Sequence, residues 1–147
     1  MYHIRDITYQ TEDYVQMVAL RDRLLRQPLG LSFTQAQLAE EAHDWLIGGF
    51  AVHAPTQLLG CAILTPRGHR IQLRQMAVAE GHQRQGLGST LVRFAESRAA
   101  ARGFRVLFLH ARLEAVPFYQ RLGYRRRGPM FTEVTLPHYH MDKVLFR

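Results

Sequence analysis

The sequence predicts an α/β domain with a sheet of mixed strand direction. Two observations carry that reading. Apolar or alternating runs at residues 45–53, 58–65 and 70–79 are separated by turn-length gaps, as hairpin-connected strands are. Helical patterns at 11–25 and 87–102 alternate with those runs, giving the order β-α-(α)-β-β-β-α-β-α-β-β. The chain's 147 residues suit one domain, spanning residues 1–147, with no room for a second of ordinary size.

The elements follow in order. Residues 2–8 read as a strand. Thr11 is an N-cap candidate, with Glu12 and Asp13 in the first helical turn. Val15, Val18 and Leu25 lie near one face, widened by Met17, Leu20 and Leu24; Pro28 and Gly30 stop the helix. Residues 27–34 read as a loop and 35–43 as a short helix. Ala54-Pro55-Thr56-Gln57 reads as a hairpin turn between the strands at 45–53 and 58–65, and Pro66-Arg67-Gly68 as the next turn. In 70–79, Ile71, Leu73, Gln75 and Ala77 alternate against Gln72, Arg74, Met76 and Val78. That alternation becomes apolar on both sides towards Val78, which predicts that end to be the more buried. Leu87, Leu91, Phe94, Ala95 and Ala99 make a helical stripe, closed by Gly103; Arg98 and Arg102 complement the dipole. A strand at 104–110, a short helix at 114–121 ending at Gly123, and strands from Tyr124 and over 141–146 complete the chain.

Composition sets outer limits. Hydrophobic residues are 47% and charged residues 21%, which argues against wholesale disorder. Cys61 is the single cysteine, so no intramolecular disulfide can form. No apolar run reaches the roughly 20 residues that span a bilayer, and the first residues lack the layout of a secretory signal, so a soluble, cytoplasmic protein is expected. The formal charge of +7 favours polyanions without saying which. Arg125-Arg126-Arg127 reads as a solvated strand edge. With no aromatic–basic RNA signature and no helix-turn-helix pattern, a nucleic-acid-binding module is the weaker alternative.

The segment Glu80-Gly81-His82-Gln83-Arg84-Gln85-Gly86-Leu87-Gly88 joins a strand to a helix. Free backbone N–H groups at a helix start attract anions, and glycine lets a phosphate approach them. The segment is not a dinucleotide fingerprint, because Leu91 stands three after Gly88, and it has no P-loop Gly-Lys-Ser/Thr. It does match Gln/Arg-x-x-Gly-x-Gly/Ala, as Gln83-x-x-Gly86-x-Gly88.

With that loop, the Met76-Ala77-Val78 strand ending and Ala115-Val116-Pro117-Phe118-Tyr119-x-x-x-Gly123-Tyr124, the chain resembles the GNAT superfamily of acetyl-CoA-dependent N-acetyltransferases. The firm part runs over residues 73–124. Phe131-Thr132-Glu133, Pro137-His138-Tyr139-His140-Met141 and residues 21–31 resemble a branch of small, mostly bacterial members. The resemblance implies a mixed, mostly antiparallel central sheet flanked by helices. It implies direct transfer of an acetyl group from acetyl-CoA to a primary amine on a small molecule or peptide. The alternative within the same resemblance is a non-catalytic acyl-CoA-binding or sensor domain. No metal, membrane or nucleic-acid partner is implied. Homodimers are common in the family, and the sequence is compatible with one.

The resemblance also assigns residues. Backbone N–H groups of Gln85, Gly86, Leu87, Gly88 and Ser89 would hold the CoA pyrophosphate, with Gln83 and Arg84 adjoining. Met76, Ala77 and Val78 would line the pantetheine arm, and an N–H near Val78 would polarise the thioester carbonyl. Phe118 adjoins, and Tyr119 matches a tyrosine that protonates the departing thiolate. Arg112 stands where many members have asparagine, an altered cofactor contact. Glu133 and His138 are the candidates for handling the amine proton, ahead of Glu80 and His140. His138-x-His140 would put two imidazoles on one strand face, but with no nearby cysteine a metal site is not expected. His110 reads equally as a cleft residue or a buried, hydrogen-bonded one. Cys61 and Trp45 read as packing.

Overall fold

The computed structural model describes residues 2–147. Seven strands form one sheet in the order β1-β2-β3-β4-β5-β7-β6. Their ranges are β1 Tyr2–Ile7, β2 Trp45–Ala51, β3 Ala54–Arg67, β4 Arg70–Val78, β5 Val106–Arg112, β6 Arg125–Glu133 and β7 Leu136–Val144. Every neighbouring pair is antiparallel except β4 and β5. The helices are α1 Glu12–Arg21, α2 Gln35–Ala39, α3 Leu87–Ala101 and α4 Val116–Arg121. The parallel β4–β5 crossover is the long connection that α3 supplies, as a parallel pair requires.

The sheet separates two cores. On one face Leu87, Leu91, Ala95 and Ala99 of α3 and Tyr119 of α4 pack on Ala62, Leu64, Ile71, Leu73, Leu107, Leu109 and Met141. On the other, Tyr14, Met17 and Leu20 of α1 cover Phe50, Cys61, Ile63 and Ala77. The α3 stripe is as the periodicity predicts, and Gly103 ends the helix at φ 87°. The α1 stripe differs. Val15 is 62% exposed, and the buried positions are Tyr14, Met17, Leu20 and Arg21. The face is turned because Arg21 itself is fully buried.

Arg21 forms a two-pronged ion pair with Glu41, at 2.9 and 2.5 Å, and Glu41 also accepts from the Tyr14 hydroxyl at 2.8 Å. Burial and the adjoining carboxylate hold the Tyr14 hydroxyl well above its usual pKa, so it remains a donor. This cluster anchors the segment after α1, a π-helical turn at Asp22–Arg26 followed by a 3-10 turn at Gln27–Leu29. Thr34 then starts α2 with a reciprocal capping box to Gln37.

Two turns are corrected. Ala54–Gln57 belongs to β3, and the β2–β3 turn is Val52-His53, because Ala54 already pairs with Ala51; Pro55–Gln57 bulge out before pairing resumes at Leu58. Pro66 and Arg67 pair with Ile71 and Arg70, so the next turn is Gly68-His69. Trp45 sits half-buried at the core rim, edge-on to Phe104 with centroids 5.9 Å apart. Arg125–Arg127 lies on β6, the exposed edge strand, as read from the sequence. Among the described residues no helix is long and apolar enough to cross a membrane.

Removing one partner of a buried ion pair strands the other charge. Glu41→Ala is therefore expected to cost about 3 kcal/mol, lowering the melting midpoint by roughly 10 °C. The double variant Arg21→Met/Glu41→Leu should lose less than Glu41→Ala alone, read in the same thermal melts.

Candidate active site

The sheet opens where β4 and β5 part. They pair only at Ile71, Gln72 and Leu73. Beyond Leu73, β4 carries a bulge. Cys61 and Ile63 of β3, two residues apart, face Ala77 and Arg74, three apart. The extra residue is absorbed at Gln75, whose φ is 55°. The bulge breaks the expected alternation. Met76 and Val78 pack with Ile71 and Leu73 on the α3 side, whereas Ala77 packs on the α1 side. The predicted burial gradient is reversed as well. Ile71 to Leu73 are buried and Gln75 and Met76 are not, because the Val78 end has lost β5 as a neighbour.

That loss leaves backbone donors unpaired. The Ala79 amide donates to Leu59 of β3 at 2.7 Å. Amides along a strand alternate sides, so those of Val78 and Met76 face the gap. The Gln83 side-chain amide donates to the Val78 carbonyl at 2.9 Å. Gly86, at φ 89°, turns the chain into α3. The first amide to close the helix is that of Thr90, onto Gly86. The amides of Leu87, Gly88 and Ser89 have no backbone acceptor among the described residues, so they remain outward-pointing donors at the positive end of α3. A Cβ on Gly88 would stand 3.3 Å from the Phe118 ring and 3.9 Å from Met76, so the turn and α4 approach closely only with glycine there. Arg84 is exposed at φ 63°, and Gln85 is spent on Gly81 and Tyr2.

A cleft of about 650 Å³ runs through the gap. Met76, Phe118 and Tyr119 line its α3 side. His110, Arg112, Glu133 and His138 line it from β5, β6 and β7. Tyr119 is 8% exposed, its hydroxyl has no hydrogen-bond partner among the described residues, and burial holds it well above the usual tyrosine pKa. Among the described residues it is a protonated, uncommitted donor at the cleft wall.

Glu133 lies between two imidazoles. One carboxylate oxygen accepts from His110 Nδ1 at 2.9 Å; the other is 3.9 Å from His138 Nε2. His138 is 4% exposed, and its Nδ1 donates to the Leu136 carbonyl at 2.9 Å. A carbonyl can only accept, so the neutral His138 ring carries its proton on Nδ1 and offers the Nε2 lone pair. His110 thus proves to be a cleft residue, hydrogen-bonded but only half-buried.

His140 adjoins this group, its ring centroid 5.5 Å from that of His110, but it does not line the cleft. It stacks on Phe108, with centroids 5.1 Å apart, and its pKa is lowered by burial and then by neighbouring His110. Glu80 is exposed and paired with Arg23, its pKa lowered first by its own backbone amide. Arg112, the altered cofactor contact, lies on the α1 side and donates to the Leu25 carbonyl at 3.2 Å.

The sequence reading missed Arg26, Arg67 and Arg74, which also line the cleft. Their signal was weak. Arg74 sits one residue before the bulge, which no alternation pattern announces, and Arg26 lies on the π-helical turn. Cys61 does reach the site's edge. Its Sγ lies 3.8 Å from the Gln75 carbonyl, and burial pushes the thiol pKa up to about 12.

Comparison with known proteins agrees with this architecture. The model of the acetyltransferase (GNAT) family matches residues 9–124. The uncharacterized protein YyaT of Bacillus subtilis is 31% identical over 80 residues, 54% of this chain and 54% of that protein. The chain thus spans about half the length of the curated relatives it matches. A Lactobacillus plantarum protein, provisionally named an N-acetyltransferase, superposes with a TM-score of 0.86 at 22% identity, over 99% of both chains. An aminoglycoside 6'-N-acetyltransferase in complex with coenzyme A gives a TM-score of 0.81 at 16% identity, over 99% of this chain and 98% of that one.

A buried, protonated thiol does not react. Cys61 is expected to stay unlabelled by Ellman's reagent at pH 8 in the native protein and to label fully once unfolded in guanidinium. Rapid native labelling would show that the strand beneath the bulge opens. The family model's match over residues 9–124, most of the chain, makes it a member of the acetyltransferase (GNAT) family.

Proposed function

We propose that the protein is an N-acetyltransferase that moves an acetyl group from acetyl-CoA directly to the amine of a small molecule or peptide. The observation that carries this reading is the cleft through the sheet. A histidine–carboxylate group lines it, and the free amides at the start of α3 adjoin Phe118 and Met76 in its wall. The residues fit the cosubstrate. The free amides of Leu87, Gly88 and Ser89 suit a pyrophosphate, and Gly88 puts no side chain beside them.

Acetyl-CoA supplies an activated acyl thioester. The Val78 amide, facing the gap, is placed to stabilise negative charge on a carbonyl oxygen. His138 Nε2 takes the proton the amine must lose, and Glu133 steadies the resulting imidazolium. The new N–C bond replaces the C–S bond, and Tyr119 gives its proton to the departing thiolate. Both substrates are held in one cleft, so no covalent acetyl-enzyme is needed. Cys61 could not form one, since its thiol stays protonated.

Acetyl-CoA at about 100 times its dissociation constant should stabilise the fold by roughly 2.7 kcal/mol, a rise of several degrees in the melting midpoint. Duplex DNA tested in parallel should give none. A null result with saturating acetyl-CoA would sink the assignment. Tyr119→Phe should lower kcat about 100-fold while the midpoint rise with acetyl-CoA persists. A rate equal to wild type would remove Tyr119 from proton transfer.

A further inference from the structure

Four guanidinium groups line the cleft, from Arg26, Arg67, Arg74 and Arg112, against the carboxylates of Glu114 and Glu133. Glu133 is already committed to His110. Arg26 makes no ion pair and no side-chain hydrogen bond among the described residues; its guanidinium rests over the Phe33 ring at 4.6 Å. Arg112 spends one donor on the Leu25 carbonyl and meets no carboxylate among the described residues. Arg74 makes a 3.3 Å hydrogen bond to Thr65 and a loose 3.8 Å contact with Asp44. Each guanidinium carries five N–H donors, so most of this donor capacity is unspent.

Three half-buried cations held this close repel one another. Arg26 shows the consequence, its pKa lowered by partial burial and then by Arg21, Arg112 and Arg74. Such an arrangement costs stability unless an anion relieves it. The phosphates of a CoA molecule do not fill that role. The glycine turn meant for them packs with Phe118 and Met76 on the α3 side, whereas Arg74 and Arg112 project on the α1 side.

We propose that the acceptor amine carries an anionic group, a carboxylate or a phosphate, which Arg26, Arg74 and Arg112 bind on the α1 side of the cleft. The inference rests on the N-acetyltransferase reading and specifies its acceptor. Planar guanidiniums match both oxyanions in a bidentate way, which a lysine cluster would not. A polyamine would add positive charge where it is already concentrated.

The test uses matched amines: ethanolamine against phosphoethanolamine, 2-phenylethylamine against phenylalanine, and spermidine. Acetyl transfer is measured for each, and binding of each to CoA-loaded protein is measured by calorimetry. The anionic member of at least one pair should exceed its neutral partner about tenfold or more in kcat/KM, with phosphate or carboxylate preference identifying the group. Arg26→Gln and Arg74→Gln should each erase most of that preference, while the acetyl-CoA melting shift shows that the variants fold and bind. Neutral amines or spermidine used or bound as well as the anionic ones would overturn the proposal. So would the absence of binding by every anionic amine. Anion-selective binding without any acetyl transfer would uphold the anion site and overturn the N-acetyltransferase reading instead.

Discussion

The parting of β4 from β5 is the constraint on which the rest of the site depends. A parallel pair held at only three register positions cannot continue past Leu73, and the bulge at Gln75 turns the strand away from its neighbour. Unpaired strand amides are costly when buried and useful when a ligand can pair with them. The gap therefore converts a structural liability into a row of donors. It also joins the two faces of the sheet, which would otherwise be sealed from each other. Tyr119, the His110–Glu133–His138 group and the arginines come from seven different elements. They meet only because the sheet is open at this point.

The two faces divide the work. On the α3 side the helix is long, regular and packed through a continuous apolar stripe, so the turn at its start is held rigidly. On the α1 side the helix gives way to π and 3-10 turns whose residues are mostly half-exposed. Their position rests on one polar cluster, Tyr14–Arg21–Glu41, and on Phe33 placed between the guanidiniums of Arg21 and Arg26, each 4.6 Å away. A buried ion pair contributes little net stability against an apolar substitute, but it tolerates few alternative geometries. It serves here to orient a segment that has almost no core of its own.

The order of elements, the α3 stripe, the Thr11 cap and the glycine turn were legible because each rests on local chemistry that a single segment expresses. Tyr119, Glu133 and His138 were legible as a set only through the family resemblance, since their separation in sequence says nothing of their meeting. What escaped is physical in origin. A bulge inverts the side-chain parity of everything after it, so Met76, Ala77 and Val78 were placed on the wrong faces. A buried arginine breaks the rule that apolar residues define the inner face, so Val15 was placed inside and Arg21 was overlooked. The β2–β3 turn was displaced because Pro55 reads as a turn residue although this stretch of β3 can accommodate it.

The Arg21–Glu41 pair brackets a stretch of chain. One partner closes α1 and the other ends the turn after α2, so the nineteen positions between them are fastened at both ends to the sheet-facing helix. Inside that bracket Leu24 and Leu25 pack against the α1-side core, while Arg26 and Gln37 line the cleft. A change at Arg26 or Gln37 therefore reshapes the cleft wall, whereas a change at Leu24 or Leu25 loosens the segment's hold on the sheet.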